Sequence, residues 1–292
     1  MNFRHVVPFD VTGQIAAKRF LTSLGVSGSR WKSIKHSGTF CVNGQAAIAA
    51  QTMLIGGDEI SYSLPDPVQS FAAEDLPLNI LFEDNYFIIV NKPPHTLVHP
   101  VRQEQTGTVG NAVLGYYMKS GQTFAFHPVH RLDRDTSGAL LIAKTPEAQH
   151  LMSTKDGKRF FRQYLAIVSG KPSPPIQIID APIARVDGVR HAVRDDGKPA
   201  RTHLETIATA NGISLLRLKL DTGRTHQIRV HLAHIGTPLL GDTLYGEAFG
   251  GVPRQMLHAE QISFVHPFLG EQICITAPMP EDMRKLWRSI LQ

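Results

Sequence analysis

The chain has 292 residues, 42% of them hydrophobic and 19% charged, with a net charge of +5; this fits one large domain, or a large domain plus a small one, and excludes a low-complexity polymer. No apolar run approaches the roughly 20 residues of a membrane helix, and the opening Met1-Asn2-Phe3-Arg4-His5 lacks the charged head and apolar block of a secretory signal, so a cytoplasmic location and no membrane partner are expected. Cys41 and Cys274 stand far apart, which offers neither a disulfide framework nor a cysteine metal site and suits a reducing compartment.

The positive charge is unevenly spread. Between Val11 and Gly57 there is no Asp or Glu, yet Lys18, Arg19, Arg30, Lys32 and Lys35 all fall there. A segment of one sign raises the local potential and attracts phosphate. The same segment reads as a small unit over 1–65. The spacing of Ile15, Phe20, Leu21 and Leu24 predicts a helix over 15–24. Ser29 is the expected N-cap of a second, basic helix over 30–36. Residues 38–45 predict a strand running into an Asn43-Gly44 hairpin turn, and 56–62 a turn and closing strand. Residues 66–77, proline-bearing and aperiodic, read as a linker.

The remainder, 78–292, predicts a larger unit. Two strand-like runs flank Asp84-Asn85, and the second stops at Lys92-Pro93-Pro94. Helical spacing covers 108–118. A stretch from His127 to Gly138 then packs two His, two Arg and two Asp into the nine residues 127–135 and turns abruptly into the apolar run 139–143. A charged loop ending on an apolar strand is a place where a rigid sheet can hold reactive groups; the bland alternative is a solvated turn with internal salt bridges. Strands are predicted over 163–168, and over 203–209 and 214–220 about Asn211-Gly212, with a polar, turn-rich stretch over 187–202. Ile228, Leu232 and Ile235 predict a helix that ends before Gly236, with Thr225 its expected N-cap. Arg224 and Arg229 would then lie near backbone N–H groups that favour an anion. Strands over 258–264 and 272–276 and a helix over 281–291 close the chain.

No dinucleotide-binding glycine fingerprint, phosphate-binding Walker loop or serine-hydrolase elbow is present. His127/His130 and His226/His231/His234 invite a metal reading, but neither set has a recognised ligand spacing, so no metal is expected. Carboxylate chemistry with arginine support remains. Asp133 lies between Arg131 and Arg134, and a carboxylate beside a guanidinium stays ionised, as a nucleophile at a sugar or an electron-poor ring requires. A glycosidase would need a second carboxyl. Asp135 is the near candidate, and in an extended segment it would face the other side.

His130-Arg131-Leu132-Asp133-Arg134-Asp135-Thr136-Ser137-Gly138 resembles the signature of the RluA family of pseudouridine synthases. So do Glu83-Asp84 with Val90-Asn91-Lys92-Pro93, Tyr164-Leu165-Ala166-Ile167-Val168, Gly197-Lys198-Pro199-Ala200-Arg201-Thr202, and Gly223-Arg224-Thr225-His226-Gln227-Ile228-Arg229-Val230-His231. Gly241-Asp242, Tyr245-Gly246, His258-Ala259, and Phe264 with His266-Pro267 complete the order over about 80–280. The amino-terminal unit loosely resembles the S4 RNA-binding domain.

The resemblance implies an α+β fold: a catalytic domain on a mixed, largely antiparallel sheet, preceded by the small S4-like α+β domain. It implies isomerisation of uridine to pseudouridine in RNA, ribosomal RNA first and transfer RNA second, with no cofactor and no metal. The N-glycosidic bond breaks, the uracil turns, and a C–C bond forms. By the same resemblance Asp133 is nucleophile or base, Tyr164 lies over the uracil and shuttles a proton, and Arg229 pairs with Asp133. Ile228 packs against the base, and Arg131 fills the gap left by the flipped nucleotide, because a stacked base cannot be reached without extrusion. Arg224 and Lys144 are phosphate contacts. Two departures stand out. Arg162 replaces a usual lysine, and His95 stands where glycine is usual, so a disturbed local turn is expected there. The rival readings are a catalytically silent RNA-binding protein on the same fold and a sugar hydrolase using Asp133.

Overall fold

The computed structural model describes residues 2–37, 39–63, 71–153 and 160–292. Residues 66–70 of the expected linker, and Gly38 before the first hairpin, lie outside them.

Residues 2–63 gather their own sheet and core. Strands Asn2–Val6, Glu59–Ser63, Phe40–Val42 and Gln45–Ala46 lie side by side in that order, all antiparallel. The Asn43-Gly44 turn has positive φ at both residues, 51° and 78°, as a tight hairpin requires. Helices Ala17–Ser23 and Gly28–Ser37 lay Phe20, Leu21, Trp31 and Ile34 against Leu54, Ile60 and Tyr62. The first helix begins later than its spacing suggests, because Ile15–Ala16 pairs as a short strand with Met53–Leu54. The second begins earlier, at Gly28, so Ser29 falls inside it, and Ser27 Oγ accepts the Arg30 N–H at 3.3 Å. Arg30 reaches the larger unit through an ion pair with Glu147, both largely shielded from solvent.

The larger unit is built on one sheet. Its path runs Ile176–Asp180, Arg201–Ala210, Ile213–Leu220, Phe160–Ser169, Leu257–Val265, Ser137–Ala143, Phe87–Lys92, Ile80–Glu83, with Gln272–Thr276 on Leu257–Val265 and His127–Pro128 on Ser137–Ala143. Among the described pairings of this sheet, Ser137–Ala143 with Leu257–Val265 is parallel and the rest are antiparallel. The expected α+β, mixed, largely antiparallel architecture is therefore what the chain adopts.

The apolar run after the charged loop is the central strand Ser137–Ala143, buried at every residue. Side chains alternate across it. Leu140 and Ile142 join Val90, Leu216, Leu218, Ile228 and Leu232 on one face; Ala139, Leu141 and Ala143 join Phe87, Ile89, Ile262 and Phe264 on the other. Helices Val109–Lys119 and Gln227–His234 supply residues to the first cluster, and Pro146–Met152 to the second.

The parallel contact positions the charged loop. It pairs Ser137 with His258 and Gly138 with Ala259. Gly138 has φ 114°, and a Cβ placed there would sit 2.2 Å from the Ala259 carbonyl oxygen. Only glycine lets the two backbones approach this closely. Ser137 Oγ bonds His258 Nδ1 at 2.9 Å, and the other ring nitrogen lies 3.2 Å from the Ala277 carbonyl.

Candidate active site

The Asp133 carbonyl accepts the Thr136 N–H at 3.1 Å, closing a turn over 133–136. Its side chain faces a cleft of ≈ 870 Å³, lined also by Arg131, His99, Arg162, Arg224 and Arg229. Two buried cations hold the turn through its carbonyls. Lys92 Nζ donates to the carbonyls of Pro93, Thr96 and Arg134 at 2.8, 2.7 and 2.7 Å. Burial pulls Lys92 down to about 7, against Asp135 and Asp133 nearby, and three carbonyls match the three donors of its ammonium form. Arg254 Nη1 donates to the Asp135 carbonyl at 3.0 Å, while Nε and Nη2 pair with Asp282 at 2.7 and 3.0 Å.

At the position where glycine is usual, His95 itself adopts positive φ. The histidine takes φ 58°, the left-handed backbone that a glycine would supply. Its Nδ1 lies 2.8 Å from Asp135 Oδ1. Asp135 is thereby engaged with His95 and not with Asp133.

Arg229 stands 3.3 Å from Asp133, Nη1 to Oδ2. The rest of its guanidinium is taken by Asp242: Nε to Oδ2 at 2.7 Å and Nη2 to Oδ1 at 2.8 Å. Asp242 is only 1% exposed. The Tyr245 ring lies 5.1 Å from the guanidinium carbon. A planar fork with two edges occupied points its remaining nitrogen in one direction, and here that direction is Asp133. Burial opposes the charge on Arg229, but Asp242 and Asp133 outweigh it, so its pKa is raised.

Tyr164 and Ile228, both 4% exposed, line a smaller cavity of ≈ 70 Å³ with Asp133, Arg131, Arg162 and Arg229. A register shift between Gln163 and Tyr164, where Phe160–Ser169 pairs with Leu257–Val265, marks a bulge. Such a bulge re-aims the side chain that follows it. Burial raises the Tyr164 pKa; Asp133 adds to that, while Arg162 opposes it. Arg162 lies over the Phe160 ring at 5.2 Å and donates to the Thr222 carbonyl at 3.3 Å. A basic group therefore remains beside the tyrosine despite the departure from lysine.

Helix Gln227–His234 carries Ile228 and Arg229 in its first turn. It is not capped by Thr225: the residue at the cap is His226, with φ 55°, and no side chain caps it. The loop before it is held by Gln227, whose Oε1 accepts from Arg224 N–H at 3.0 Å and Thr222 Oγ1 at 2.7 Å.

Arg131 and Arg224 are exposed on the cleft wall. Arg224 donates through Nε to the Pro199 carbonyl at 2.9 Å. Lys144 is elsewhere. It is buried, bonded to Glu83 at 2.7 Å and Gln122 at 3.1 Å, under the rings of Tyr117 and Phe124. It does not line the cleft, so the expected phosphate contact is corrected to an internal ion pair at the end of the central strand. The histidines separate too. His130 is buried, accepts the Leu141 N–H at 3.2 Å, and is pushed by burial down to about 3. His231 lies between Thr202 Oγ1 and the Ala181 carbonyl.

The site is thus an arginine-held carboxylate, a buried tyrosine and an apolar wall, in a cleft rimmed by arginines. It provides a carboxyl group that can serve as nucleophile or base, with the neighbouring Asp135 and Asp242 engaged by His95 and Arg229, and a rim suited to phosphate. The profile of the family described as RNA pseudouridylate synthase matches residues 86–234, a span holding Asp133, Tyr164 and Arg229. The uncharacterized RNA pseudouridine synthase YjbO of Bacillus subtilis is 36% identical over 278 residues, 93% of this chain and 98% of the relative. Ribosomal large subunit pseudouridine synthase D of Nitrosomonas europaea is 37% identical over 304 residues, 98% of this chain and 88% of the relative. The solved structure of human RNA pseudouridylate synthase domain containing 4 shares the fold, with a TM-score of 0.59 at 23% identity over 73% of this chain and 93% of that one.

Fold and similarity together define an RNA-modifying isomerase. The chain belongs to the RNA pseudouridylate synthase family, in its RluA branch, and converts uridine in RNA to pseudouridine.

Proposed function

We propose that this chain modifies uridines of ribosomal large-subunit RNA in the cytoplasm, with Asp133 as the group that acts on the flipped nucleotide. Tyr164 lies over the uracil, Ile228 packs against it, and Arg229 aims Asp133 through its Nη1 contact. Arg131 enters the gap left in the RNA, and Arg224 meets a phosphate. Residues 1–65 serve as an S4-like RNA-binding domain, 66–77 as a linker and 78–292 as the catalytic domain. The observation that carries this reading is the chain Asp242–Arg229–Asp133, with 2.7, 2.8 and 3.3 Å contacts, ending on the cleft beside Tyr164. The relatives named for the ribosomal large subunit support the RNA class.

Asp133→Asn keeps the shape and removes the charge. Pseudouridine formation is expected to fall by at least about 100-fold, the scale on which a lost nucleophile or general base is felt, while RNA affinity stays within a few-fold. An Asp133→Asn enzyme with full activity would remove that residue from the chemistry. Mapping pseudouridines in cells lacking the protein tests the substrate: losses confined to transfer RNA would reassign it.

A further inference from the structure

Two side chains at the site, His226 and Tyr245, have no role in the reading above, yet both are tied to Asp133. His226 occupies left-handed backbone, φ 55° and ψ 20°, without capping the helix that follows. What the strained backbone does is direct the imidazole into the site, edge-on to the Tyr245 and His191 rings at 5.5 and 5.6 Å. Its Nδ1 is 2.8 Å from Tyr245 Oη, and its Nε2 is 3.9 Å from Asp133 Oδ2.

The protons on this chain can be placed. The His191 backbone N–H meets Tyr245 Oη at 3.0 Å. A backbone N–H can only donate, so the tyrosine oxygen accepts there, and its own proton is available for His226 Nδ1. With Nδ1 as the acceptor nitrogen, the proton of a neutral ring sits on Nε2, facing Asp133. In this arrangement Tyr245 Oη accepts one bond and donates one. Burial lowers the imidazole pKa most; Asp133 on the loop and Asp242 beyond the helix raise it, and Arg229 and His191 lower it.

We propose that His226 is a positioning residue for Asp133, held by Tyr245 as the Nε2–H tautomer so that its N–H and Arg229 Nη1 address the same carboxylate oxygen, Oδ2, and Oδ1 is presented to the nucleotide. Arg229 and His226 both approach Oδ2, whereas Oδ1 makes no hydrogen bond with a described residue. At 3.9 Å the His226 contact is electrostatic. A movement of about 1 Å makes it a hydrogen bond, and such bonds commonly tighten only with substrate in place. The proposal rests on Asp133 being the acting group.

The test is Tyr245→Phe, which keeps the ring under Arg229 and removes the hydroxyl. Steady-state pseudouridine formation is followed from pH 5.5 to 9 on one RNA. KM is expected to hold within about two-fold, while kcat falls by roughly tenfold or more. Without the hydroxyl the ring is free to take the other tautomer, with a bare Nε2 toward Asp133, so the loss in kcat is expected across the whole pH range. Adding His226→Gln, whose amide N–H depends on no tautomer, is expected to return part of the lost kcat. Unchanged kcat in Tyr245→Phe, a loss confined to KM, or no recovery on adding His226→Gln would each overturn the proposal. Should Tyr245→Phe fail to fold, His226→Gln against His226→Leu decides: a kcat at least about tenfold higher for Gln, a difference of about 1.4 kcal/mol in barrier, supports it, and equal values overturn it. Asp133→Asn is run alongside. Activity there would strike the role of Asp133, whereas an inactive Asp133→Asn beside an unaltered Tyr245→Phe strikes this inference alone.

Discussion

At the scale of single residues, the site depends on how one arginine is held. Arg229 is a buried guanidinium shared between two carboxylates, and Asp242 takes two of its three nitrogens. Removing Asp242 leaves a buried cation with half its partners. Asp242→Ala is expected to cost roughly 3–5 kcal/mol of stability, as breaking a buried pair does, and to lower kcat more than KM by freeing Nη1. Denaturant unfolding with kinetics on the folded enzyme measures both; an Asp242→Ala enzyme with normal stability and turnover would show that Arg229 needs no second carboxylate. Asp133, Tyr164 and Arg229 were legible in the sequence through their motifs. Asp242 and Tyr245 stood in an equally legible motif, but spacing alone cannot show that a carboxylate 13 positions beyond Arg229 folds back onto it. Lys144 was misread for a related reason: a lysine after an apolar strand looks the same whether it ends in solvent or against Glu83. Asp135, the second carboxyl a glycosidase would call on, is bonded to His95 instead, which gives it a part in holding left-handed backbone.

At the scale of elements, the turn bearing Asp133 is held by its anchorage to the sheet. Gly138 is where the central strand meets Leu257–Val265, with no room for a methyl group. Gly138→Ala is expected to destabilise the protein by roughly 1–3 kcal/mol from backbone strain alone, the clash with Ala259 adding to it, and to lower activity by displacing the turn five residues upstream. Melting and turnover of the variant check this; wild-type values for both would mean that the approach of the two strands is not limiting. Strands flanking Asn-Gly turns and the buried central strand were readable, because turn chemistry and continuous apolar runs are local signals. The helix Pro146–Met152, the edge strand Ile176–Asp180 and the hairpin of Ile183–Asp187 with Arg190–Val193 were not. The helix is too short for a period to register, and the strands are largely exposed, so hydrophobic alternation is weak. The start of the helix bearing Arg229 was misplaced because His226 answers to Tyr245, a tertiary partner, and not to the helix.

At the scale of the whole molecule, burial of histidine makes stability depend on pH. His130 is pushed down to about 3 and His127 to about 4, both chiefly by burial, and His5, His99, His226, His231 and His258 are lowered in the same direction. In the unfolded chain these rings titrate near 6.5. Below that value the unfolded chain binds protons that the folded one refuses, so their stabilisation is complete above about pH 6.5 and is lost as pH falls toward 4 and 3. Each ring contributes a slope of up to about 1.4 kcal/mol per pH unit in that window. Unfolding free energies at pH 7.5, 6 and 5 are expected to fall steadily; constant or rising values on acidification would contradict the burial of these rings as neutral groups.

By itself the sequence determined the architecture's class and the ordered motifs of the family, the one bearing Asp133 among them, because turn glycines, apolar periods and a carboxylate between arginines are local patterns. Only the tertiary structure decided what each charged group faces. Across a folded sheet, residues a hundred positions apart in the chain come within hydrogen-bond reach, and burial then fixes which must be paired. That is how Asp133 meets Arg229, how Asp242 and Tyr245 stand behind that contact, and how Lys144 was withdrawn from the cleft.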